Sequence, residues 1–194
     1  MVIIHFICRG NSFRSIIAEA YLNSLETKYG ALSSGTVAAS DKAGNLANYR
    51  KTLDLLESHG IRGFAKADYG DQLTQSRLEE ADITVCMNQR VYHECLRFAI
   101  FPVSPHIWSI ADIGEPGRIA YTEPERRRYR EEAYQEIIQN IDRLVSGISM
   151  AVLPRLAGPR NTAPTAGAGV RGSPANVRQP LWAASSSSQR ITSP

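Results

Sequence analysis

The chain has 194 residues, 43% of them hydrophobic, with 22 basic and 19 acidic side chains and a formal charge of +3. That length suits one core rather than two, and apolar runs such as Val2-Ile3-Ile4 and Ala99-Ile100-Phe101 fall far short of the roughly 20 residues a bilayer-crossing helix needs. Nor does the positive charge point to nucleic acid. Five arginines from residue 154 onward have no acidic counterpart, and subtracting them leaves 17 basic against 19 acidic side chains, a body of about −2.

Residues 2–7 form a nearly continuous apolar run ending at a polar turn, the pattern of a strand buried on both faces of a parallel sheet. After the turn, residues 15–29 place Ile16, Ile17, Ala20, Tyr21 and Leu25 near helical spacing, with Gly30 where a C-cap is wanted. A second strand over 31–34 closes at Gly35. Residues 46–59 read as a helix whose Leu46, Tyr49, Leu53 and Leu56 share a face ahead of Gly60. Residues 73–80 supply one or two helical turns, 82–87 a third strand, 89–98 a helix and 100–103 a fourth strand. Residues 104–117, rich in Pro and Gly, are a long loop, and 123–148 form a polar helix with an apolar stripe at Tyr134, Ile137, Ile138, Ile141, Leu144 and Val145. The alternation predicts an α/β fold in three layers: a four-stranded parallel sheet with helices on both faces and a tight loop after the first strand.

Composition divides the chain into a folded domain over 1–150 and a Pro/Gly/Ser/Arg-rich tail over 151–194. The tail holds too few large apolar residues to offset its ordering entropy, so disorder is expected there. Pro180-Leu181-Trp182 is its one candidate for docking an unknown partner. The start of the chain, Met1-Val2-Ile3-Ile4-His5-Phe6-Ile7-Cys8, has neither a basic leader nor a small-residue cleavage site, and a cytoplasmic address is the expectation. Cys8, Cys86 and Cys95 are expected as free thiols. They form no zinc-type spacing, so neither a metal nor another cofactor is expected.

Chemistry concentrates in Cys8-Arg9-Gly10-Asn11-Ser12-Phe13-Arg14-Ser15, between a strand and a helix. Five residues between cysteine and arginine suffice for the backbone to curl with its N–H groups inward, and the helix end adds partial positive charge at the same point. A cysteine at the base of such a nest is expected to be ionised and nucleophilic. Arg14 offers a planar fork for two phosphoryl oxygens, and Ser15 a hydroxyl for the sulfur. Gly10 permits close backbone approach, and Asn11 tolerates a left-handed conformation. His5, His59, His93 and His106 form no triad-like arrangement. Arg126-Arg127-Arg128 faces Glu131 and Glu132 at helical spacing and reads as a solvated charged face.

Residues 7–15, with Ala18-Glu19 after them, resemble the signature of low-molecular-weight protein tyrosine phosphatases. Echoes continue through Ser33-Ser34-Gly35-Thr36, Gln72-Leu73-Thr74 and residues 81–87, so the resemblance covers roughly 2–148. It implies hydrolysis of phosphate monoesters, protein phosphotyrosine or small aryl phosphates, through a cysteinyl-phosphate intermediate. Cys8 would be the nucleophile, Arg14 the clamp, residues 9–15 the phosphate cradle, and an aspartate on a late loop the acid. Asp112 fits that last role although the proline that usually follows is Ile113; Glu115 is the rival. Ile113-Gly114 also replaces the aromatic that often walls the pocket, leaving Tyr49 or Trp108 to supply a ring. Phe13 stands where relatives often carry a second cysteine, so the corresponding disulfide switch is not expected. Two alternatives stay open: an arsenate reductase of the same fold relaying oxidation from Cys8 to Cys86 and Cys95, and a non-catalytic phosphate-binding regulatory module.

Overall fold

The computed structural model describes residues 1–25, 27–40, 42–116, 118–120 and 122–156, with side chains up to residue 148. The tail lies outside the described residues from 157 onward, and with it the expected disorder and the docking motif.

Strand β1 (Val2–Cys8) is central, buried from Ile4 to Cys8 because a strand and a helical layer lie on every side of it. Strand β2 (Tyr29–Gly35) pairs parallel on one edge, strand β3 (Ile83–Cys86) on the other, and a two-residue β4 (His106–Ile107) follows, giving the order β2-β1-β3-β4. Helices α1 (Arg14–Ser24), α2 (Lys42–Ser58) and α5 (Glu123–Leu156) enclose the larger core cluster with Ile4, Phe6 and Cys8. The short α3 (Gln75–Glu79) and α4 (Gln89–Cys95) pack on Ile7 and Cys86 on the opposite face. Both short helices start at side-chain caps, Thr74 and Asn88, whose oxygens accept from Arg77 N and Val91 N. The expected three-layer α/β architecture is present among the described residues.

Two boundaries differ instructively. Helix α1 stops at Ser24, not near residue 29, and Gly30 is no C-cap: it sits in β2 opposite Ile3, where a Cβ would come within 3.0 Å of Ile3 Cδ1. Pairing with the central strand outweighs the local helical pattern. The fourth strand is His106–Ile107 rather than 100–103. Pro102 has no N–H for a ladder, and Ile100 and Val103 are mostly exposed. Pairing resumes beyond Pro105 and runs on past β4, with Trp108 N donating to Cys86 O (2.9 Å) and Ile110 N to Met87 O (3.0 Å). Those bonds deliver residues 110–112 to the C-terminal end of the sheet, beside Cys8. Helix α5 also runs past residue 148, to Leu156.

His5 is a core residue of β1, fully buried, its Nε2 2.7 Å from Ser34 Oγ. Burial, and next the nearby Arg77, lower its pKa from 6.5 to about 4. The folded state therefore refuses a proton that the unfolded chain accepts between those values. Stability is fully present above pH 6.5 and falls as pH drops toward 4, by roughly 3 kcal/mol for this group. Thermal unfolding between pH 7 and pH 4 should show that slope, and His5→Gln should flatten it. An identical slope in the variant would remove His5 as its source.

Candidate active site

Cys8 ends β1 and Arg14 begins α1, so the five intervening residues must turn tightly around the sulfur. Cys8 is 2% exposed. Its Sγ lies 3.0 Å from Ser15 Oγ and accepts from Asn11 N at 3.2 Å. Asn11 adopts φ +47°, a left-handed conformation that asparagine tolerates and most side chains do not. The end of β2 clamps the curl from outside, Thr36 N donating to Cys8 O (3.1 Å) and Val37 N to Arg9 O (3.0 Å). Gly35 is required there, since a Cβ would lie 2.5 Å from Arg9 O and 2.7 Å from Asn11 N.

Beneath the loop, a buried polar network holds Asn11 in place. Its Nδ2 donates to Ser15 Oγ (3.0 Å) and Ser33 Oγ (2.9 Å), while its Oδ1 accepts from Lys66 Nζ (2.6 Å) and Asp71 N (2.9 Å). Ser33 Oγ in turn donates to the Glu19 carboxylate. Lys66 reaches Asp71 at 2.9 Å and Glu19 at 3.9 Å, and Arg77 reaches Asp71 at 3.1 Å. Burial raises the Glu19 pKa against the pull of Lys66. For Asp71 burial acts the same way, but Lys66 and Arg77 outweigh it and hold the carboxyl below its usual range. Sequence reasoning missed Lys66 and Asp71, which carry no motif or spacing of their own. Lys66→Met strips the cation from this cluster and should cost about 2 kcal/mol in a denaturant titration, below the 3–5 kcal/mol of fully buried pairs. Loss of less than half that amount would show the cluster to be self-sufficient.

Arg14 is fully buried in the first turn of α1. Its Nη1 donates to Ile110 O (2.8 Å), its Nη2 to Asp112 Oδ2 (2.7 Å), and its Nε has no acceptor among the described residues. Cys8 and Asp112 line one cavity of about 290 Å³, and Arg14 meets them through Asp112, although Asn11, Arg14 and Ser15 lie behind its lining. Arg9, Gly10, Ser12 and Phe13 complete its floor, and the first-turn amides of α1 start at this point. Arg9 also turns its guanidinium outward to Glu94 (2.8 Å). Glu115 sits behind the site, its Oε2 4.0 Å from Arg14 Nη1. Its Oε2 accepts from Asp112 N (2.7 Å) and Asn88 Nδ2 (2.9 Å), bracing the loop that carries Asp112, and it does not line the Cys8 cavity.

The walls differ from expectation. Tyr49 is buried, its hydroxyl donating to Lys66 O and its ring stacked on Tyr69 with centroids 5.6 Å apart. Trp108 packs on Phe6 at 5.8 Å. Neither ring lines the cavity, whose apolar lining is Phe13, Val37 and Ile113. In their place stand Asn45 and Asn48 of α2 with Arg126 and Arg130 of α5. Arg126 is therefore a cavity residue and not merely part of a solvated face, whereas Arg128 pairs with Glu132 at 3.5 Å as the spacing suggested. Cys86 and Cys95 are buried together in the cluster on the far face of the sheet from Cys8. The Cys95 thiol, then burial, raises the Cys86 pKa. Among the described residues no cluster of three or more His, Cys, Asp or Glu could hold a metal, and no helix is long and apolar enough to cross a membrane.

Solved structures of other proteins share the fold. A low molecular weight protein tyrosine phosphatase from T. tengcongensis shares the fold with a TM-score of 0.53 and 22% identity, over 76% of this chain and 99% of that one. The YwlE arginine phosphatase from Geobacillus stearothermophilus shares it with a TM-score of 0.52 and 21% identity, over 79% and 97% of the two chains. Among curated proteins, a stretch of 78 residues, 39% of this chain, is 38% identical to the fusion glycoprotein F0 of Newcastle disease virus (strain Italien/45). The match spans only 14% of that protein and carries no function across. The family model described as low molecular weight phosphotyrosine protein phosphatase matches residues 3–154, well over half of the sequence, and the chain belongs to that family.

Proposed function

We propose that this protein hydrolyses phosphate monoesters by way of a phosphorylated Cys8, with Arg14 as phosphoryl clamp and Asp112 as acid and then base. In the first step Cys8 Sγ attacks phosphorus, a P–S bond forms, and the P–O bond to the leaving group breaks as Asp112 gives that oxygen a proton. In the second, water attacks phosphorus, its proton returns to Asp112, and the sulfur leaves with its electron pair, steadied by the Ser15 hydroxyl and the Asn11 amide. Phosphate is released and the enzyme is restored. The observation that carries this reading is the Arg14 fork. It ties the loop of Asp112 to the helix that starts beside Cys8 while keeping one buried donor, Nε, without an acceptor. A buried donor in that state costs about 1–3 kcal/mol, which a phosphoryl oxygen reaching Nε from beside Cys8 would offset.

The substrate proposed is a phosphorylated protein, with tyrosine the phosphorylated residue, and small aryl phosphates are surrogates. Residues 1–150 would be the catalytic domain and 151–194 an accessory segment. Three free thiols suit a reducing, cytoplasmic setting. The far-face position of Cys86 and Cys95 favours hydrolysis over an arsenate-reducing relay, and the Asp112 placement favours catalysis over passive phosphate binding. The test is to trap the intermediate by acid quench during turnover of an aryl phosphate and map it by mass spectrometry. Phosphate on the Cys8 peptide, absent from Cys8→Ala, is expected. Turnover with label on no cysteine would sink the proposal.

A further inference from the structure

We propose that Arg126 and Arg130 form a second anion subsite at the mouth of the Cys8 cavity, selecting phosphopeptides with a carboxylate side chain beside the phosphorylated residue. The inference rests on the hydrolase reading above and adds the substrate class that this particular cavity accepts.

Spacing of four on α5 puts both guanidiniums on one helix face, and both line the void that holds Cys8 and Asp112. Arg130 is 8% exposed, and its one carboxylate contact among the described residues is Glu123 at 3.3 Å. That same carboxylate also serves Lys51 at 3.2 Å. Arg126 has no carboxylate partner among the described residues. Glu123 thus serves both Lys51 and Arg130, and Asp112 already pairs with Arg14 at 2.7 Å, so neither carboxylate is taken up by Arg126. The rim carries a surplus of positive charge in a recess where screening is weaker than on open surface. The remaining walls offer little grip to an uncharged group: Asn45, Asn48 and the modest apolar faces of Phe13, Val37 and Ile113.

Cys8 is 2% exposed whereas Arg126 is exposed, so a ligand whose phosphoryl group sits at Cys8 meets Arg126 with a part that lies toward solvent. A flanking Asp or Glu side chain, on a chain that continues into solvent, supplies a negative charge there.

The test is binding to the full-length Cys8→Ser protein, which needs no turnover. Fluorescence anisotropy compares tyrosine-phosphorylated peptides that differ only in having Glu, Gln or Lys on either side, together with their unphosphorylated forms. The Glu peptide should bind about ten-fold more tightly than the Gln peptide, and the Lys peptide most weakly. The advantage should shrink in 0.5 M NaCl, where the Debye length falls to roughly 4 Å. Arg126→Gln should reduce the Glu-to-Gln ratio to about two or less. Arg127→Gln, which removes the same charge from a position outside the cavity lining, should leave the ratio unchanged. Because Arg126 is exposed, its variant tests the idea even if Arg130→Gln fails to fold. Equal binding of Glu and Gln peptides, or a preference that survives Arg126→Gln, overturns the subsite. So does tight binding of a sugar bisphosphate while the peptides show no charge preference. Binding indifferent to phosphorylation overturns the hydrolase reading itself and the subsite with it.

Discussion

Arg14→Lys should lower kcat/KM for an aryl phosphate roughly a thousand-fold, the upper range for removal of a single preorganised donor. Lysine keeps the charge but not the planar fork. Its single ammonium cannot donate at once to Ile110 O, to Asp112 and to a phosphoryl oxygen, as the three nitrogens of the arginine can. Two functions fail together: a phosphoryl oxygen loses the Nε donor, and the loop of Asp112 loses its tie to α1. Steady-state kinetics measure the loss, and inhibition by inorganic phosphate shows whether the cradle survives. A fall of less than ten-fold would mean that Arg14 only supports the fold.

For Asp112→Asn the expected loss depends on the ester. With phenyl phosphate, whose leaving oxygen needs a proton, kcat/KM should drop by about 10²–10⁴, the range of general acid catalysis. With 4-nitrophenyl phosphate, whose leaving group departs readily as an anion, the drop should be an order of magnitude smaller. Asparagine keeps an oxygen that can accept from Arg14 Nη2 at the cost of the bond from Ile113 N to Oδ1, so the tie to α1 persists while proton transfer is lost. Glu115→Gln likewise keeps an acceptor for Asp112 N and Asn88 Nδ2, and should cost little with either ester. If Glu115→Gln shows the leaving-group dependence and Asp112→Asn does not, the two roles are reversed.

Much of this was legible along the chain because the decisive chemistry is local. A buried strand, a five-residue curl and a helix fit within the first 24 residues, and φ preference, spacing and helix-end electrostatics act over that short range. The apolar stripe of α5 was legible for the same reason: Ile137 and Ile141 recur at helical spacing, and both are fully buried. Pairing across distance was not legible. The fourth strand moved from 100–103 to His106–Ile107 because an edge strand forms where consecutive N–H groups can reach β3, and Pro102 and Pro105 interrupt them earlier. Rings at Tyr49 and Trp108 looked available to the pocket, yet packing against Tyr69 and Phe6 claims both.

By itself, then, the sequence determined the parallel α/β class and the loop that joins Cys8 to Arg14, the proposed nucleophile and clamp, since each depends on neighbours within a few residues. Only the tertiary structure decided what surrounds them. Asp112 meets Arg14 across 98 positions of chain and Lys66 meets Asn11 across 55. Such contacts are set by strand order and helix packing, in which each side chain's place depends on the burial of many others, and no short-range pattern records that.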